Sequence, residues 1–232
     1  MKKTSVITLL GILFCLLPLS VQAQLQEQRH NFALGVNGGV NLSKVSFSPT
    51  IKQGYLIGPT FGVTARYISE KYFSMICGIQ AEVNYSQRGW KEIIEDGTED
   101  TYHRAMNYLE VPLLAHLPRK RQRKRCPFRS EPGTQIGFLI NEKEYKSAAW
   151  HPEDRPYGVN VQYDKAAENK FDYGIIGGGG VEIRTGIGHF VAEARYYFGL
   201  SDFFNSTKKD YFSRSAHSYI TAKLTYLFDI TR

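Results

Sequence analysis

Residues 189–200 read HFVAEARYYFGL, and this stretch contains the pattern that decides the fold. Every second residue from Phe190 to Leu200 is apolar or aromatic, while Glu193 and Arg195 lie between them in the middle of the run. Side chains alternate between the two faces of a β-strand. The stretch therefore predicts a strand with one apolar face and one face that carries charge.

Seven further segments show the same period of two residues. They cover residues 31–42, 57–67, 73–86, 108–117, 126–140, 171–183 and 220–228. The segment at 126–140 is the weakest, and glycines at 177–180 interrupt the segment at 171–183. Most are about ten or more residues long, the length of a tilted strand that crosses a membrane. With the first stretch they predict eight strands.

The connections between these strands alternate in length. Residues 43–56, 89–101, 141–170 and 201–215 form long connections, and residues 69–72, 118–125 and 185–188 form shorter ones. Outer-membrane barrels have long loops at the cell surface and short turns in the periplasm. The alternation predicts an all-β, eight-stranded antiparallel transmembrane β-barrel of up-and-down topology, with both termini in the periplasm.

The polar faces carry charges at mid-strand, whereas the apolar faces carry essentially none. The charged residues are Arg66, Glu82, Glu110, Glu182, Glu193, Arg195 and Lys223, and Arg184 could join them. Side chains can fill the lumen of an eight-stranded barrel, so we expect these groups to pair inside it and to allow no large conductance. A soluble, lipocalin-type barrel with the charges outside has the same period and is the alternative.

Aromatic residues near the strand ends favour lipid on the outside. Tyr67, Phe73, Phe190 and Phe228 lie beside the short turns, and Tyr85, Trp90 and Phe198 lie toward the long loops. Amphipathic rings settle at the level of lipid headgroups, so these residues predict two aromatic belts. The alternative is the general preference of aromatic residues for strands.

The first 23 residues have the composition of an export signal. A basic start at Lys2 and Lys3 precedes an apolar run at 6–17, and Val21 and Ala23 precede a predicted cut at Gln24. An N-terminal membrane helix is the alternative, but it needs about 20 apolar residues. We predict a signal peptide at 1–23 and one barrel domain at 24–232.

Charge and cysteine content add two expectations. The formal net charge is +7, but residues 119–125 alone hold six positive charges, so the rest of the chain is nearly neutral. We expect this basic turn to contact anionic lipid headgroups or an acidic partner, and not nucleic acid. Cys77 and Cys126 could pair in an oxidising compartment, but Cys77 is in phase with apolar residues and is expected to be a free buried thiol.

Five segments together carry a family resemblance. They are FALGVNGGVNL at 32–42, NYLEVPLLAHL at 107–117, FDYGIIGGGG at 171–180, AEARYYFGL at 192–200 and LTYLF at 224–228. The chain resembles the PorT-like outer-membrane β-barrel family of Gram-negative bacteria, most specifically through YLEVPLL at 108–114. The resemblance implies an exported outer-membrane barrel of OmpA/OmpX-like topology, and the family's namesake is linked to a protein-secretion system. The basic turn of this chain and the four residues after Phe228 depart from the family pattern.

Three patterns that suggest chemistry have simpler explanations. The glycines at 177–180 are followed by a continuing strand and not by the helix N-terminus of a phosphate loop. The histidines lack the HExxH spacing, and the acidic loop at 92–100 lacks the alternation of a calcium loop, so we expect no metal or other cofactor. His103, His151 and Ser201 or Asp202 could be combined into a catalytic group, but no motif fixes their geometry.

We expect a non-enzymatic protein of the cell outer membrane, a structural or interaction module that acts through surface loops. The longest loop, 141–170, is the candidate partner-binding surface. Its candidate residues are Tyr145, Trp150, His151, Tyr157 and Tyr163. The expected partners are outer-membrane lipids and a periplasmic or secretion-system protein, and no nucleic acid. An auxiliary secretion component, a narrow pore and a membrane-embedded barrel enzyme are the alternatives.

Overall fold

The strands pair into one antiparallel sheet that closes on itself. The computed structural model describes residues 30–69, 77–95, 97–118, 128–148, 150–151, 159–185, 187–207 and 210–231. The elements in chain order are β1 (His30–Ser48), β2 (Gln53–Gly54), β3 (Leu56–Ser69), β4 (Cys77–Glu92), β5 (Tyr102–Pro118), β6 (Phe128–Ser130), β7 (Gly133–Lys146), a 3-10 helix (Val159–Gln162), β8 (Phe171–Thr185), β9 (Gly188–Gly199) and β10 (Arg214–Thr231). No helix within these ranges is long and apolar enough to cross a membrane.

Some predictions fall on residues outside these ranges. They concern the export signal, the basic turn at 119–125, Phe73, Cys126 and Tyr157. Cys77 lies at the start of β4, as its predicted strand requires. The state of its thiol remains a prediction.

Eight strands form the wall of the barrel. Strand β1 pairs with β3 and β10, and the ring continues through β4 and β5 on one side and β9 and β8 on the other. Strands β6 and β7 both pair with β5 and β8 and are separated by Glu131 and Pro132, so they form one interrupted wall strand. Strand β2 is a short addition to the edge of β4. The eight-stranded antiparallel barrel is confirmed.

The apolar faces of the strands point outward. The exposed side chains include Leu224, at 69%, and Ile57, at 66%, whereas Arg66, Glu82 and Lys223 are buried in the lumen. Outer-membrane barrels have this arrangement, with an apolar band outside and a polar interior. The soluble alternative, which requires the charges on the outside, is wrong.

Several strands continue past their predicted ends on the side of the long loops. Strand β1 reaches Ser48, β7 reaches Lys146, and β10 begins at Arg214. The predicted loops at 43–56, 141–170 and 201–215 are therefore too long. The outward positions of these strand ends carry polar residues such as Lys44, Ser46 and Lys143, so the apolar outer face on which the prediction rested ends there although backbone pairing continues.

The aromatic residues of the predicted belts divide between the two faces. Tyr67, Phe190 and Phe228 are exposed on the outer face near the short turns, and Phe198 is exposed nearer the long loops. Trp90 is fully buried inside the barrel, so its assignment to an outer belt is wrong. Trp90 is an even number of residues from Glu82 on β4, and side chains at that spacing share a face.

Glycines in β8 allow the wall to approach bulky groups. A Cβ atom on Gly178 would lie 2.2 Å from the backbone oxygen of Ala194 and 2.6 Å from Cα of Arg195. One on Gly177 would meet nothing within 4 Å. The strand continues through both residues to Thr185, and this agrees with close packing and not with a phosphate loop.

Candidate functional site

Arg195 is the centre of an ion network in the lumen. Its guanidinium nitrogens lie 2.9 Å from Oε1 of Glu82, 2.9 Å from Oε2 of Glu131 and 2.7 Å from Oε2 of Glu193. Lys223 contacts Glu82 and lies 3.6 Å from Oε2 of Glu193. All five side chains are buried. Because they come from β4, β9, β10 and the break between β6 and β7, the network joins separate parts of the wall.

A second network lies nearer the short turns. The guanidinium of Arg66 faces the carboxylate of Glu182, with nitrogen–oxygen distances of 3.3 and 3.4 Å. The ring of His189 lies between two carboxylates: Nδ1 is 2.6 Å from Oε1 of Glu182 and Nε2 is 2.7 Å from Oδ2 of Asp229. These contacts connect β3, β8, β9 and β10 across the lumen.

A third network surrounds Arg88 nearer the long loops. Nη2 of Arg88 lies 2.7 Å from Oδ2 of Asp172, and Nη1 lies 3.4 Å from Oε1 of Glu110. The guanidinium carbon is 3.5 Å from the ring centroid of Tyr108, and the Tyr219 hydroxyl donates to Glu110 over 2.9 Å. Glu110 thus pairs with Arg88, which the sequence analysis did not include.

The structure therefore brings most of the predicted interior charges into contact. Arg66 is paired with Glu182, while Glu82, Glu193, Arg195 and Lys223 form one cluster. Glu131, Asp172 and Arg88 are members that sequence reasoning missed. Arg88 was detectable, because it continues the even-numbered face of β4 that begins with Glu82.

Little free space remains between these networks. A cavity of about 10 Å³ lies between the Arg195 and Arg88 networks, which is room for about one water molecule. Its polar lining includes Thr60, Asn84, Glu110, Gln135, Arg195 and Lys223. At this level of the described barrel, paired charges line a narrow cavity.

Aromatic side chains fill the mouth of the barrel on the side of the long loops. We call this group the aromatic cap; it consists of Phe47, Trp90, Tyr102, Phe203, Phe204 and Phe212. The Trp90 ring stacks on Phe203 with centroids 5.6 Å apart and meets Phe47 edge-on at 5.2 Å. Since Phe203, Phe204 and Phe212 come from the loop before β10, that loop folds into the mouth.

Gln162 fixes the longest loop to the same mouth. The indole nitrogen of Trp90 donates to Oε1 of Gln162 over 3.0 Å, and Nε2 of Gln162 donates to Oε2 of Glu92 over 3.0 Å. Arg104 donates to the backbone oxygen of Gln162 over 3.5 Å. A buried amide that makes these bonds is costly to leave unpaired, so the loop is held in place.

Hydrogen bonds also stabilise the loop before β10. The backbone nitrogen of Phe203 donates to the backbone oxygen of Ser215, and the nitrogen of Ser215 donates to Oδ1 of Asp202. Farther out, the hydroxyl and backbone N–H of Thr207 donate to the Asp210 carboxylate and lower its pKa. Both donors bind the ionised carboxylate and therefore favour the charged form of Asp210.

The predicted partner-binding residues occupy different environments. Tyr145 lies on β7 and not in the loop, and its ring stacks on His103 at 4.5 Å on the outside of the barrel. Trp150 and Tyr163 pack against Tyr102 at 5.6 and 4.9 Å, so they attach the loop to the wall. Only His151 of the described candidates in the loop has a mostly exposed side chain, at 59%.

The residues considered for catalysis lie apart from one another, and each contacts a different partner. His103 faces outward beside Tyr145, and Nδ1 of His151 lies 3.7 Å from Asp100. Ser201 donates to Asp172, while Asp202 accepts from the backbone of Ser215. The structure does not bring them together, and no group of three metal-binding side chains occurs among the described residues.

A closed wall, an apolar outer band and an ionic lumen define a small transmembrane β-barrel. A family model described as "Outer membrane protein beta-barrel domain" matches residues 22–205, and the chain belongs to that family. The family places the protein in the outer membrane. None of the curated proteins compared with the chain matches it.

Several solved structures are similar to the chain at low identity. Ail of Yersinia pestis, in complex with the heparin analogue sucrose octasulfate, is 11% identical; the match covers 85% of this chain and 99% of that chain with a TM-score of 0.37. Neisserial surface protein A is 11% identical, with 84% and 96% covered and a TM-score of 0.40. The outer membrane enzyme PagL is 9% identical, with 84% and 97% covered and a TM-score of 0.37. Similarity at this level gives no information about function.

Proposed function

We propose that the protein is a non-enzymatic outer-membrane barrel that conducts no ions and presents its capped end to a partner at the cell surface. The observation that carries this proposal is the filling of the interior. The Arg66, Arg195 and Arg88 networks follow one another along the lumen, and the aromatic cap lies above them. An ion that entered would have to displace paired charges at each of these networks.

The cap also supports a role in binding. Two long loops pack into the mouth through Gln162 and Phe203, so the outer end offers a fixed surface. A preorganised surface loses less entropy when it binds a partner than a mobile loop does. On the longest loop, His151 and Asp164 have side chains that are 59% and 82% exposed, so they are candidates for the contact.

The absence of conduction is tested in planar bilayers with the purified full-length protein. We expect no stable single-channel steps, for the wild type or for Trp90→Ala, because the ionic networks below the cap remain. A wide, stable channel in the wild type would overturn this part of the proposal. Channels in Trp90→Ala alone would show that the cap, and not the ionic lumen, is the barrier.

The binding role is tested by light crosslinking of native outer membranes, mild-detergent purification and mass spectrometry. We expect a stoichiometric partner whose recovery falls in the His151→Ala/Asp164→Ala variant and not in Asn205→Ala on the other loop. Recovery of a secretion component would support the auxiliary role that the PorT-like resemblance implies. Recovery of the barrel alone would contradict the interaction role.

A further inference from the structure

The wall of β4, β5 and β7 carries a polar patch on its outer side. Backbone pairing aligns Lys91 with His103 and His103 with Tyr145, so the three residues form one row across the strands. Lys143 lies two residues from Tyr145 on the same face of β7, and its ammonium is 5.0 Å from the Tyr145 ring centroid. We call Lys91, His103, Lys143 and Tyr145 the outer-rim patch.

The patch lies beyond the apolar band, in the second and third rows after it. The last apolar row on these strands pairs Tyr85 with Leu109 and Leu109 with Phe138. The next row, which holds Gln87, Asn107 and Asn141, is polar. Lys143 lies in the row after it, beside Ala105, and Lys91, His103 and Tyr145 lie one row farther toward the long loops. Long loops mark the cell-surface side, so the patch faces sideways above the acyl chains of the outer leaflet.

Among the described residues, the cations of the patch have no anionic partner. Lys91 and Lys143 form no ion pair with the described residues, whereas the inward-facing Arg104 beside them contacts Glu142 at 2.5 Å and Glu144 at 3.1 Å. The wall therefore neutralises the cation that points into the lumen and leaves those that point toward the lipid free. Unpaired cations at a membrane surface attract anionic headgroups.

The spacing suits a group with more than one negative charge. Two strand spacings and two residues separate Lys91 from Lys143, which is about 12 Å between their Cα atoms. Flexible side chains of this length can converge from that distance on one phosphorylated headgroup. Between the lysines, the rings of His103 and Tyr145 stack in nearly parallel planes, inclined by 8° with centroids 4.5 Å apart, and the outer edge and face of this stack can pack against a sugar ring.

We propose that the outer-rim patch binds the phosphorylated sugar headgroup of an outer-leaflet glycolipid, with Lys91 and Lys143 contacting phosphate. Other outward cations at this rim lie over single aromatic rings: Lys44 is 5.2 Å from the Tyr55 centroid, and Arg214 is 5.2 Å from that of Phe198. The β4–β5–β7 wall is distinguished from them by two cations and a stacked pair of rings on adjacent strands.

The test measures binding of bisphosphorylated lipid A to the full-length barrel in detergent micelles by native mass spectrometry. We expect the Lys91→Gln/Lys143→Gln variant to bind about thirtyfold more weakly than the wild type, the effect of two lysines near an anionic surface. Lys52→Gln, which removes an exposed loop lysine paired with Glu95, is the matched control and should leave the affinity unchanged. The mobility of the unheated barrel on gels shows that each variant is folded.

Binding of two further ligands shows which chemical group the patch recognises. Dephosphorylated lipid A should bind the wild type as weakly as lipid A binds the double variant, and equal binding of both lipids would overturn the proposal. Inorganic pyrophosphate tests a free phosphate compound as the source. If it binds as tightly as lipid A and displaces it, the glycolipid assignment is wrong. Unchanged affinity of the double variant for lipid A would also overturn it.

Discussion

Replacement of Arg195 by Met should destabilise the barrel strongly. The side chain neutralises Glu82, Glu131 and Glu193 at distances of 2.7–2.9 Å. Met fills a similar volume but carries no charge, so Glu82 and Glu193 would share Lys223, and Glu131 would keep only His116, whose Nδ1 lies 3.5 Å from its Oε1. Removal of one partner from a buried ion pair typically costs about 3–5 kcal/mol, because the remaining charges stay buried without compensation.

Glu131→Gln provides the matched comparison in the same cluster. It keeps an oxygen that can accept from Arg195 and leaves two carboxylates facing two cations. Oε1 of Glu131 accepts no hydrogen bond in the native cluster. We therefore expect Glu131→Gln to change the free energy of unfolding by less than about 1 kcal/mol, within the range of a single hydrogen bond.

The assay is equilibrium unfolding in urea of barrels reconstituted into phospholipid vesicles. Tryptophan fluorescence is a suitable probe because both tryptophans, Trp90 and Trp150, lie at the capped end. A loss below about 1 kcal/mol for Arg195→Met would refute the reasoning, since it would mean that water in the lumen already solvates these carboxylates. The same result would predict measurable ion conductance.

Three further experiments, two of them with a control substitution, test the wall, the lipid face and the cap. Gly178→Ala should prevent folding because its Cβ would lie 2.2 Å from a backbone oxygen, whereas Gly177→Ala, with nothing within 4 Å, should fold; the yield of unheated barrel on gels measures both. Leu224→Lys should lower the free energy of unfolding in vesicles by about 2–4 kcal/mol, whereas Asn141→Lys, beyond the apolar band, should change it by less than about 1 kcal/mol. Phe204→Ala should cost about 3–5 kcal/mol if the cap unfolds together with the wall, and it should increase quenching of tryptophan fluorescence by iodide. An unchanged quenching rate would contradict the packed cap.

The sequence was sufficient to predict the part of the wall that contacts lipid. In that part an apolar face must alternate with a polar one, so Leu224 and Lys223 could be assigned to opposite sides without a structure. Beyond the band, water bathes the outer face, and polar residues become acceptable on both sides. The outer faces at the ends of β1 and β7 are polar for this reason, so these ends were assigned to loops, and Tyr145 with them.

The sequence predicted which charged residues point into the lumen better than it predicted which of them pair there. Which cation meets Glu110 depends on the stagger between neighbouring strands, and alternation along one strand contains no information about stagger. The contact between Arg88 and Asp172 joins residues that are 84 positions apart. The role of Gln162 could not be predicted for a different reason. It lies in a long loop, where no alternating pattern shows which side chains point into the barrel.

The charges on β4 also help to fix its register. Glu82 and Arg88 point into the lumen, where Arg195 and Asp172 neutralise them, while Lys91 points outward beyond the apolar band. A slip by one residue would turn every side chain of the strand to the opposite face. Glu82 and Arg88 would then leave their partners in the lumen and face outward, and Lys91 would enter the lumen near Arg104, so the slip would break two buried contacts and bury a further cation. The charged residues that close the lumen thus also disfavour the nearest wrong pairing of the wall, a role that a purely apolar interior could not perform.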